Sequence, residues 1–255
     1  MLKSLFCIAL LAIVSCGKSS PTQNPLEVQD SYIDSPQDLN AADIKKISTL
    51  LPTTYYVPQE KQISCSGKYG GVVYNGLEKS DIHELNGDVI ATVCTKFYKT
   101  LLMEGTAILK DRGQGEKAIN YSGVVKNEKR FHALDRCVFG EGIKRDLCLL
   151  PYHTLATDNQ AHQPGDIIYI PKVSGLQLPD GSIHEGYFIV RDTGGAFNGI
   201  GPRRVDMFTG TETDSDNVFS RAGFHKQNPM GAFKIKGASA EIIKQRLKER
   251  FGDLY

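Results

Sequence analysis

Short apolar runs, separated by Gly, Pro, Asn and Asp, make up most of the chain beyond Ser64. Such runs predict strands when turn residues bound them and when β-branched and aromatic residues are frequent within them. The candidate strands are residues 105–110, 153–158, 166–173, 186–192, 204–208 and 231–236. Asp180-Gly181 predicts a hairpin turn between the third and the fourth of them. The pattern therefore predicts a mainly β domain of the closed or sandwiched kind.

Helical patterns are fewer. Residues 238–251 place Ile242, Ile243, Leu247 and Phe251 at helical spacing and predict a C-terminal helix. Residues 41–51 predict one short helix before Pro52. Residues 94–102 fit either a helical turn or the entry to a strand, and the pattern does not choose between them. The long C-terminal helix is therefore the clearest helical prediction.

The N-terminal segment has the pattern of a targeting signal. Lys3 precedes an apolar run of about ten residues, which is too short to cross a bilayer roughly 30 Å thick. The run ends in Ile13-Val14-Ser15-Cys16-Gly17, which resembles the lipobox of bacterial lipoproteins. This resemblance implies lipidation at Cys16, anchoring to a membrane, and sorting to the periplasmic face of the outer membrane because Gly follows the Cys. An ordinary secretory signal with an incidental Cys16 is the alternative.

Residues 17–62 are rich in Ser, Thr, Pro, Gln, Asn and Asp and predict a flexible tether. Residues 63–102 then form a small N-terminal annex, and residues 103–255 form the β domain with its helix. No internal repeat is visible. The predicted organisation is thus a signal at residues 1–16, a tether, an annex and one larger domain.

Composition and charge narrow the possible partners. The chain has 255 residues, 40% of them hydrophobic, and a formal net charge of +1. Removal of residues 1–15 would delete Lys3 and leave 29 basic against 29 acidic residues. Nucleic acids and anionic lipid surfaces attract basic patches, so a neutral chain without a charge run excludes nucleic acid as the main partner. We expect a monomer.

The cysteines agree with export. Beyond the signal and Cys16, the chain keeps Cys65, Cys94, Cys137 and Cys148. Four cysteines in an oxidising compartment predict two disulfides, with three possible pairings. Cys137 with Cys148 closes a short loop and is preferred, which leaves Cys65 with Cys94. No Cys-x-x-Cys and no closely spaced His pair is present, so no metal site is expected.

The densest unusual segment lies at residues 184–199. It contains a predicted strand that ends in Asp192-Thr193-Gly194-Gly195, where two glycines allow a ligand to approach the backbone. Asp206 lies within the apolar run Val205-Asp206-Met207-Phe208. Buried neighbours would raise the pKa of such a carboxyl and allow it to donate a proton near neutral pH. Asp158 ends another predicted strand, where turn capping is the alternative role.

These three spaced motifs, in this order, resemble the 3D domain, which is named for three aspartates and occurs in membrane-bound lytic murein transglycosylases of the MltA type. The matching positions are Asp158, Asp192 and Asp206, and residues 103–107 look like the family's first barrel strand. The resemblance implies a six-stranded double-psi β-barrel. It also implies peptidoglycan glycan strands as the substrate and cleavage of the MurNAc–GlcNAc bond with 1,6-anhydroMurNAc formation, without a cofactor.

In that family the third aspartate is the catalytic acid/base, which here would be Asp206, with Asp192 orienting the site. Thr106, Gly194, Gly195 and Asp158 would contact the sugar. The sequence departs from the family in three ways. The spacing from Asp192 to Asp206 is lengthened by an insert at residues 200–203, and Asn198 replaces a usual Lys. Residues 111–150 are too few to hold the second β domain of the larger enzymes whole. The groove could therefore be open or built differently.

Two functions of other classes remain. One is an expansin-like, non-catalytic glycan-binding module, against which the absence of Trp counts because Trp stacks well on sugars. The other is a lipoprotein scaffold that binds a partner protein. Arg203 and Arg204 would either contact peptide carboxylates of the wall or remain solvated.

Overall fold

The computed structural model describes residues 36, 39–47, 49–145, 147–213 and 215–255. The predicted signal with Cys16, and residues 17–35 of the predicted tether, lie outside these residues. The structure is mainly β, and a long helix ends the chain. None of the helices in the described ranges has the length and apolar character needed to cross a bilayer.

The described strands, in chain order, are β1 (Ile44–Lys46), β2 (Leu51–Tyr55), β3 (Ser66–Tyr69), β4 (Val72–Asn75), β5 (Lys79–His83), β6 (Val89–Cys94), β7 (Thr106–Leu109), β8 (Lys117–Val125), β9 (Glu128–Ala133), β10 (Thr154–Thr157), β11 (Ile167–Tyr169), β12 (Tyr187–Asp192), β13 (Arg204–Phe208) and β14 (Phe233–Ile235). The helices are α1 (Thr95–Glu104), α2 (Val218–Arg221) and α3 (Gly237–Phe251).

The principal sheet contains seven strands in the order β1-β14-β11-β12-β10-β13-β2. Two of its pairings, β10 with β12 and β13 with β2, are parallel, and the others are antiparallel. Its outermost strands, β1 and β2, are consecutive in the chain. Between them, Ile47 donates a hydrogen bond to the carbonyl of Ala232, and Leu50 exchanges two with Met230. The backbone from β1 to β2 therefore keeps strand-like pairing as it passes between the two edges.

One face of this sheet covers the larger core. Leu155 of the inner strand β10 lies there beside its register partners, Val190 on β12 and Met207 on β13. Full burial of such side chains contributes about 1.5–3 kcal/mol each. The other fully buried members include Leu50, Ile168, Ile170, Phe188, Val205 and Phe219. Neighbouring strands of the principal sheet therefore contribute apolar side chains to the same core.

A second core is built from the N-terminal half. It joins α1 to the hairpin β5–β6 and to the three-stranded sheet β7-β8-β9. Phe97 and Leu101 of α1 contribute fully buried side chains, as do Ile82, Ile119 and Phe131 from the strands. Residues 95–102 of the segment that the pattern left undecided are helical: α1 begins directly after Cys94, which ends β6, and it stops at Gly105, whose φ of 78° is left-handed.

Several predictions about this half are wrong. The predicted helix over residues 41–51 is replaced by a 3-10 turn at Ala41–Asp43 and by β1, because Ile44 pairs with Ile235 of the sheet. The tether cannot extend to residue 62, since β2 is paired with β13 throughout its length. The strand predicted at residues 105–110 exists as β7, but it belongs to the three-stranded sheet. The boundary at residue 103 therefore divides the second core.

The strands predicted at residues 153–158, 186–192, 204–208 and 231–236, the hairpin turn and the C-terminal helix are confirmed. The strand predicted at residues 166–173 is shorter, because it ends at Tyr169 and Pro171–Val173 form a 3-10 turn. The chain turns at Asp180-Gly181 between Gln177 and Ile183, which form a bridge. The disulfides are Cys65–Cys94 and Cys137–Cys148, which is the preferred pairing.

Two buried histidines, His153 and His184, stack with 4.5 Å between ring centroids. Burial lowers the pKa of His153 to about 4 and that of His184 to about 3, so both are neutral near pH 7.

Arg191 of β12 connects three segments of the fold. Its side chain is buried, and its guanidinium donates hydrogen bonds to the carbonyl oxygens of Cys148 at 2.8 Å, Leu254 at 3.2 Å and Tyr255 at 3.0 Å. Its backbone carbonyl accepts from Ile143 at 2.8 Å, within the loop closed by Cys137–Cys148. The disulfide loop and the C-terminal turn are therefore held against β12 by one residue.

Replacing Arg191 by Met should lower the free energy of unfolding by roughly 2–4 kcal/mol, because buried carbonyl oxygens would lose their donors. Arg191→Lys should restore only part of the loss, since one ammonium cannot reproduce the planar fork. Urea unfolding followed by circular dichroism measures the change. The control is Arg136→Gln, whose exposed side chain makes one bond to the carbonyl of Asp253. A loss as large in the control as in Arg191→Met would contradict this role.

Candidate active site

The candidate site lies on the face of the principal sheet opposite the larger core. Ala156 of β10 is the register partner of Asp206 on β13 and of Asp192 on β12. Register partners direct their side chains to the same face. The two carboxylates therefore lie on either side of a small residue, with their Cα atoms roughly 9–10 Å apart, which is two strand spacings.

A β-bulge places Asp192 on this face. The β10–β12 register shifts between Leu155 and Ala156, so that Leu155 pairs with Val190 but Ala156 pairs with Asp192. Strict alternation would have returned Asp192 to the core face that Phe188 and Val190 share. The extra residue, Arg191, keeps the carboxyl out of the core, which is the re-aiming that bulges commonly provide.

Tyr55 is the neighbour that both aspartates share. It ends β2, two residues beyond Thr53, which is the register partner of Asp206. Its hydroxyl oxygen is buried, and burial together with the charges of Asp192 and Asp206 raises the pKa of Tyr55 well above its ordinary value. The phenol therefore stays protonated and is available as a hydrogen-bond donor to a carboxylate.

Burial is the largest influence on the pKa of the Asp192 carboxyl. It raises the pKa of this carboxyl from 3.8 to about 6, although the neighbouring Tyr55 hydroxyl and the backbone N–H of Thr193 both lower it. The Thr193 N–H donates to Oδ1 of Asp192 at 2.8 Å, and the Thr193 hydroxyl donates to the carbonyl of Thr157 at 2.7 Å. Asp192 is thus held by its surroundings and remains partly protonated close to neutral pH.

Asp158 lies apart from this pair. Its side chain is only 3% exposed. One carboxylate oxygen accepts from the N–H of Gln160 and the other from the N–H of Gly201, both at 3.0 Å. These bonds, the one from Gln160 above all, lower the pKa of Asp158. Its carboxylate joins the turn after β10 to the loop before β13, which is the turn-capping role that the sequence left open.

The remaining predicted contacts are less closely grouped. Thr106 is buried at the start of β7, and its hydroxyl donates to Oδ1 of Asn120 on β8. Gly194 and Gly195 lie in the loop after β12, where a 3-10 turn begins at Gly195 and no other atom lies within 4 Å of the place where its Cβ would be. The glycine loop is therefore open to a ligand, whereas the Thr106 hydroxyl is occupied within the protein.

Sequence reasoning missed Tyr55 and Ala156. Tyr55 fell in the segment interpreted as a tether, and Ala156 carries no chemistry of its own. The alternation of Leu51, Thr53 and Tyr55 is the one signal that could have indicated a strand there.

A groove continues from the pair toward the start of β13. Leu51, Thr53 and Arg204 line one side of a cavity of about 450 Å³, and the loop residues His225, Lys226 and Gln227 line the other. Thr53 is the register partner of Asp206 and Arg204 is on the same strand, so the groove lies next to the part of β13 that carries the aspartate. A chain-like ligand in the groove would therefore lie along the sheet beside Asp206.

Comparison with known proteins agrees with the motifs. A family model described as the 3D domain matches residues 153–229, which contain all three aspartates, and the predicted resemblance is confirmed. No curated protein matches the sequence.

Solved structures similar to this chain include E. coli MltA with bound chitohexaose, at 14% identity over 74% of this chain and 72% of that one, with a TM-score of 0.49. A membrane-bound lytic murein transglycosylase from Agrobacterium tumefaciens is 16% identical over 79% of this chain and 77% of its own, with a TM-score of 0.45. The lytic transglycosylase LtgG of Burkholderia pseudomallei is 13% identical over 74% and 73%, with a TM-score of 0.37.

Replacing Tyr55 by Phe should raise the pKa of Asp192 further above about 6, because the neighbouring hydroxyl favours the ionised carboxyl and would be removed. Carbon-13 NMR titration of labelled aspartate carboxyls measures it, and the Asp192→Asn spectrum identifies the signal. Tyr98→Phe, on α1, serves as the control. An unchanged or lower pKa in Tyr55→Phe would contradict the contact.

The raised pKa of Asp192 also has a consequence for stability. The folded protein binds this proton more tightly than the unfolded chain, so wild-type stability should fall as pH rises from about 4 to about 6. The Asp192→Asn variant does not titrate at this position and does not lose this stability. The difference in the free energy of unfolding between the variant and wild type should therefore grow across that window to on the order of 2–3 kcal/mol, since one pKa unit corresponds to about 1.4 kcal/mol. Urea unfolding at several pH values tests this. A difference independent of pH would show that Asp192 titrates normally.

Proposed function

We propose that this chain is a peptidoglycan lytic transglycosylase that cleaves the MurNAc–GlcNAc bond and forms 1,6-anhydroMurNAc. The observation that carries the proposal is the placement of Asp192 and Asp206 on either side of Ala156, within the stretch that matches the 3D domain. Cleavage with attack by the sugar's own C6 hydroxyl requires one carboxyl that can first donate and then accept a proton, and a second carboxyl beside it can orient the site. The sequence motifs and the geometry support the same site.

Asp206 is assigned as the acid/base. As the acid, it gives its proton to the glycosidic oxygen while the bond from that oxygen to C1 of MurNAc breaks. The C6 hydroxyl of the same sugar then attacks C1, and its proton passes to the Asp206 carboxylate, which regenerates the acid. The attack is intramolecular, so the sugar supplies its own positioned nucleophile. No water, metal or cofactor enters this sequence.

Asp192 is assigned as the orienting carboxyl. It is already held by the N–H of Thr193 and lies beside Tyr55, whereas Thr53, the partner of Asp206, opens onto the groove. Its pKa of about 6 lies in the range expected of a general acid, so the two aspartates must be tested separately.

The fold proposed for the site is the six-stranded double-psi barrel. Counting β1 and β2 as one bent strand leaves six strands, and this strand pairs with β14 at its start and with β13 at its end. The parallel pairings β10–β12 and β13–β2 also favour this interpretation.

The cell envelope, with a lipid anchor at Cys16 in the outer membrane, is the proposed location because the substrate is found there.

The test is incubation of the full chain, purified in mild detergent, with peptidoglycan sacculi, followed by mass spectrometry of the released fragments. Wild type should release anhydro-muropeptides. Asp206→Asn should lower the rate by a factor of about 10²–10⁴, the usual contribution of a general acid. Asp192→Asn should lower it less, because the amide still accepts hydrogen bonds. The exposed Asp135→Asn is the matched control and should retain the wild-type rate.

Other outcomes would change the conclusion. A larger loss in Asp192→Asn than in Asp206→Asn would exchange the two roles. Reducing-end sugars in place of anhydro products would indicate a hydrolase. Sedimentation with sacculi but no release would overturn the enzyme and leave the expansin-like binding module.

A further inference from the structure

The groove beside Asp206 has a charge that the proposed chemistry does not use. Arg204 lies two residues before Asp206 on β13 and so points to the same face, roughly 6–7 Å along the strand. Lys226 lines the opposite side of the same cavity. Both side chains are exposed, and within the described part of the chain neither forms an ion pair with a carboxylate.

The Arg204 side chain is oriented by an aromatic ring. The Arg204 guanidinium lies over the ring of Phe197, 5.2 Å from its centroid, and Phe197 is buried in the loop after β12. Such a contact orients an arginine without neutralising it. The groove cation nearest to Asp206 along β13 is thus supported by the glycine loop that follows Asp192.

The loop that carries Lys226 is braced by its own side chains. The amide of Asn228 donates to the carbonyl of Gly223 at 2.9 Å and lies 2.9 Å from Nε2 of His225. Nδ1 of His225 lies 3.1 Å from Oε1 of Gln227. Arg204 and Lys226 are the Arg and Lys side chains among the residues that line the groove.

We infer that Arg204 and Lys226 form a carboxylate subsite for the substituents of the glycan, next to the bond that Asp206 cleaves. This inference rests on the proposed function. In peptidoglycan, every second sugar carries a lactyl group, whose carboxyl is either free or joined to a peptide with carboxylates of its own. A chitin oligosaccharide has the same backbone and no carboxylate. Two uncompensated cations beside the reacting residue favour the charged polymer over the neutral one.

The experiment measures binding by calorimetry on the Asp206→Asn background, so it does not depend on cleavage. The ligands are soluble peptide-bearing glycan strands, the same strands after amidase removal of the peptides, and chitohexaose. The variant is Arg204→Gln with Lys226→Gln. The charge-preserving control is Arg204→Lys with Lys226→Arg, and the surface control is Lys244→Gln, whose partner is Glu241 on α3.

The double Gln variant should bind peptide-bearing strands about tenfold more weakly, because one charge-assisted hydrogen bond contributes on that scale. Its affinity for chitohexaose, which has no carboxylate, should change less than twofold. Added salt should weaken binding more in wild type than in the variant, because exposed charges are screened. The charge-preserving variant should retain affinity, and Lys244→Gln should match wild type. A tenfold loss that persists on amidase-treated strands would assign the lactyl carboxylate, and one confined to untreated strands would assign the peptide.

An equal loss for chitohexaose and for the charged strands would overturn the subsite, as would no loss for any ligand. Failure of every glycan to bind the Asp206→Asn chain would instead count against the proposed function itself.

Discussion

The position of β10 between β12 and β13 is the constraint on which the rest of the structure depends. On one face this four-residue strand brings Leu155 against Val190 and Met207 in the larger core. On the other face the same pairings place Asp192 and Asp206 beside Ala156. Because the side chains of a strand alternate, the interactions that bury the core also position the carboxylates. A shift of register by one residue would exchange the two faces.

The surroundings of β12 show how an acidic site can be maintained next to a core. The bulge that keeps Asp192 on the outer face also places Arg191 there, where its guanidinium binds carbonyl oxygens of the disulfide loop and of the C-terminal turn. Desolvation is the main cause of the raised pKa of Asp192, the next residue on the same strand. One end of β12 therefore carries both a residue that stabilises the fold and a carboxyl whose titration is shifted by burial.

Charge acts locally in this protein. The whole chain is close to neutral, with 30 basic and 29 acidic residues, so its net charge predicts no particular ligand. On the outer face of the sheet, however, the two acidic residues Asp192 and Asp206 flank Ala156, and the cations Arg204 and Lys226 line the neighbouring groove. A polymer with a neutral sugar backbone and acidic substituents matches this division.

The sequence by itself determined the local features: the order of the aspartate motifs, most strands of the principal sheet, α3, and the preferred disulfide pairing. These depend on patterns over a few residues, on turn chemistry and on loop length. Only the tertiary structure decided that Tyr55 joins the site, that β7 leaves the principal sheet, and that a bulge turns Asp192 outward. Each of these results from pairing between segments far apart in the chain. The Leu51–Tyr55 segment is polar enough to resemble a tether, and it becomes a strand because β13 offers it an edge.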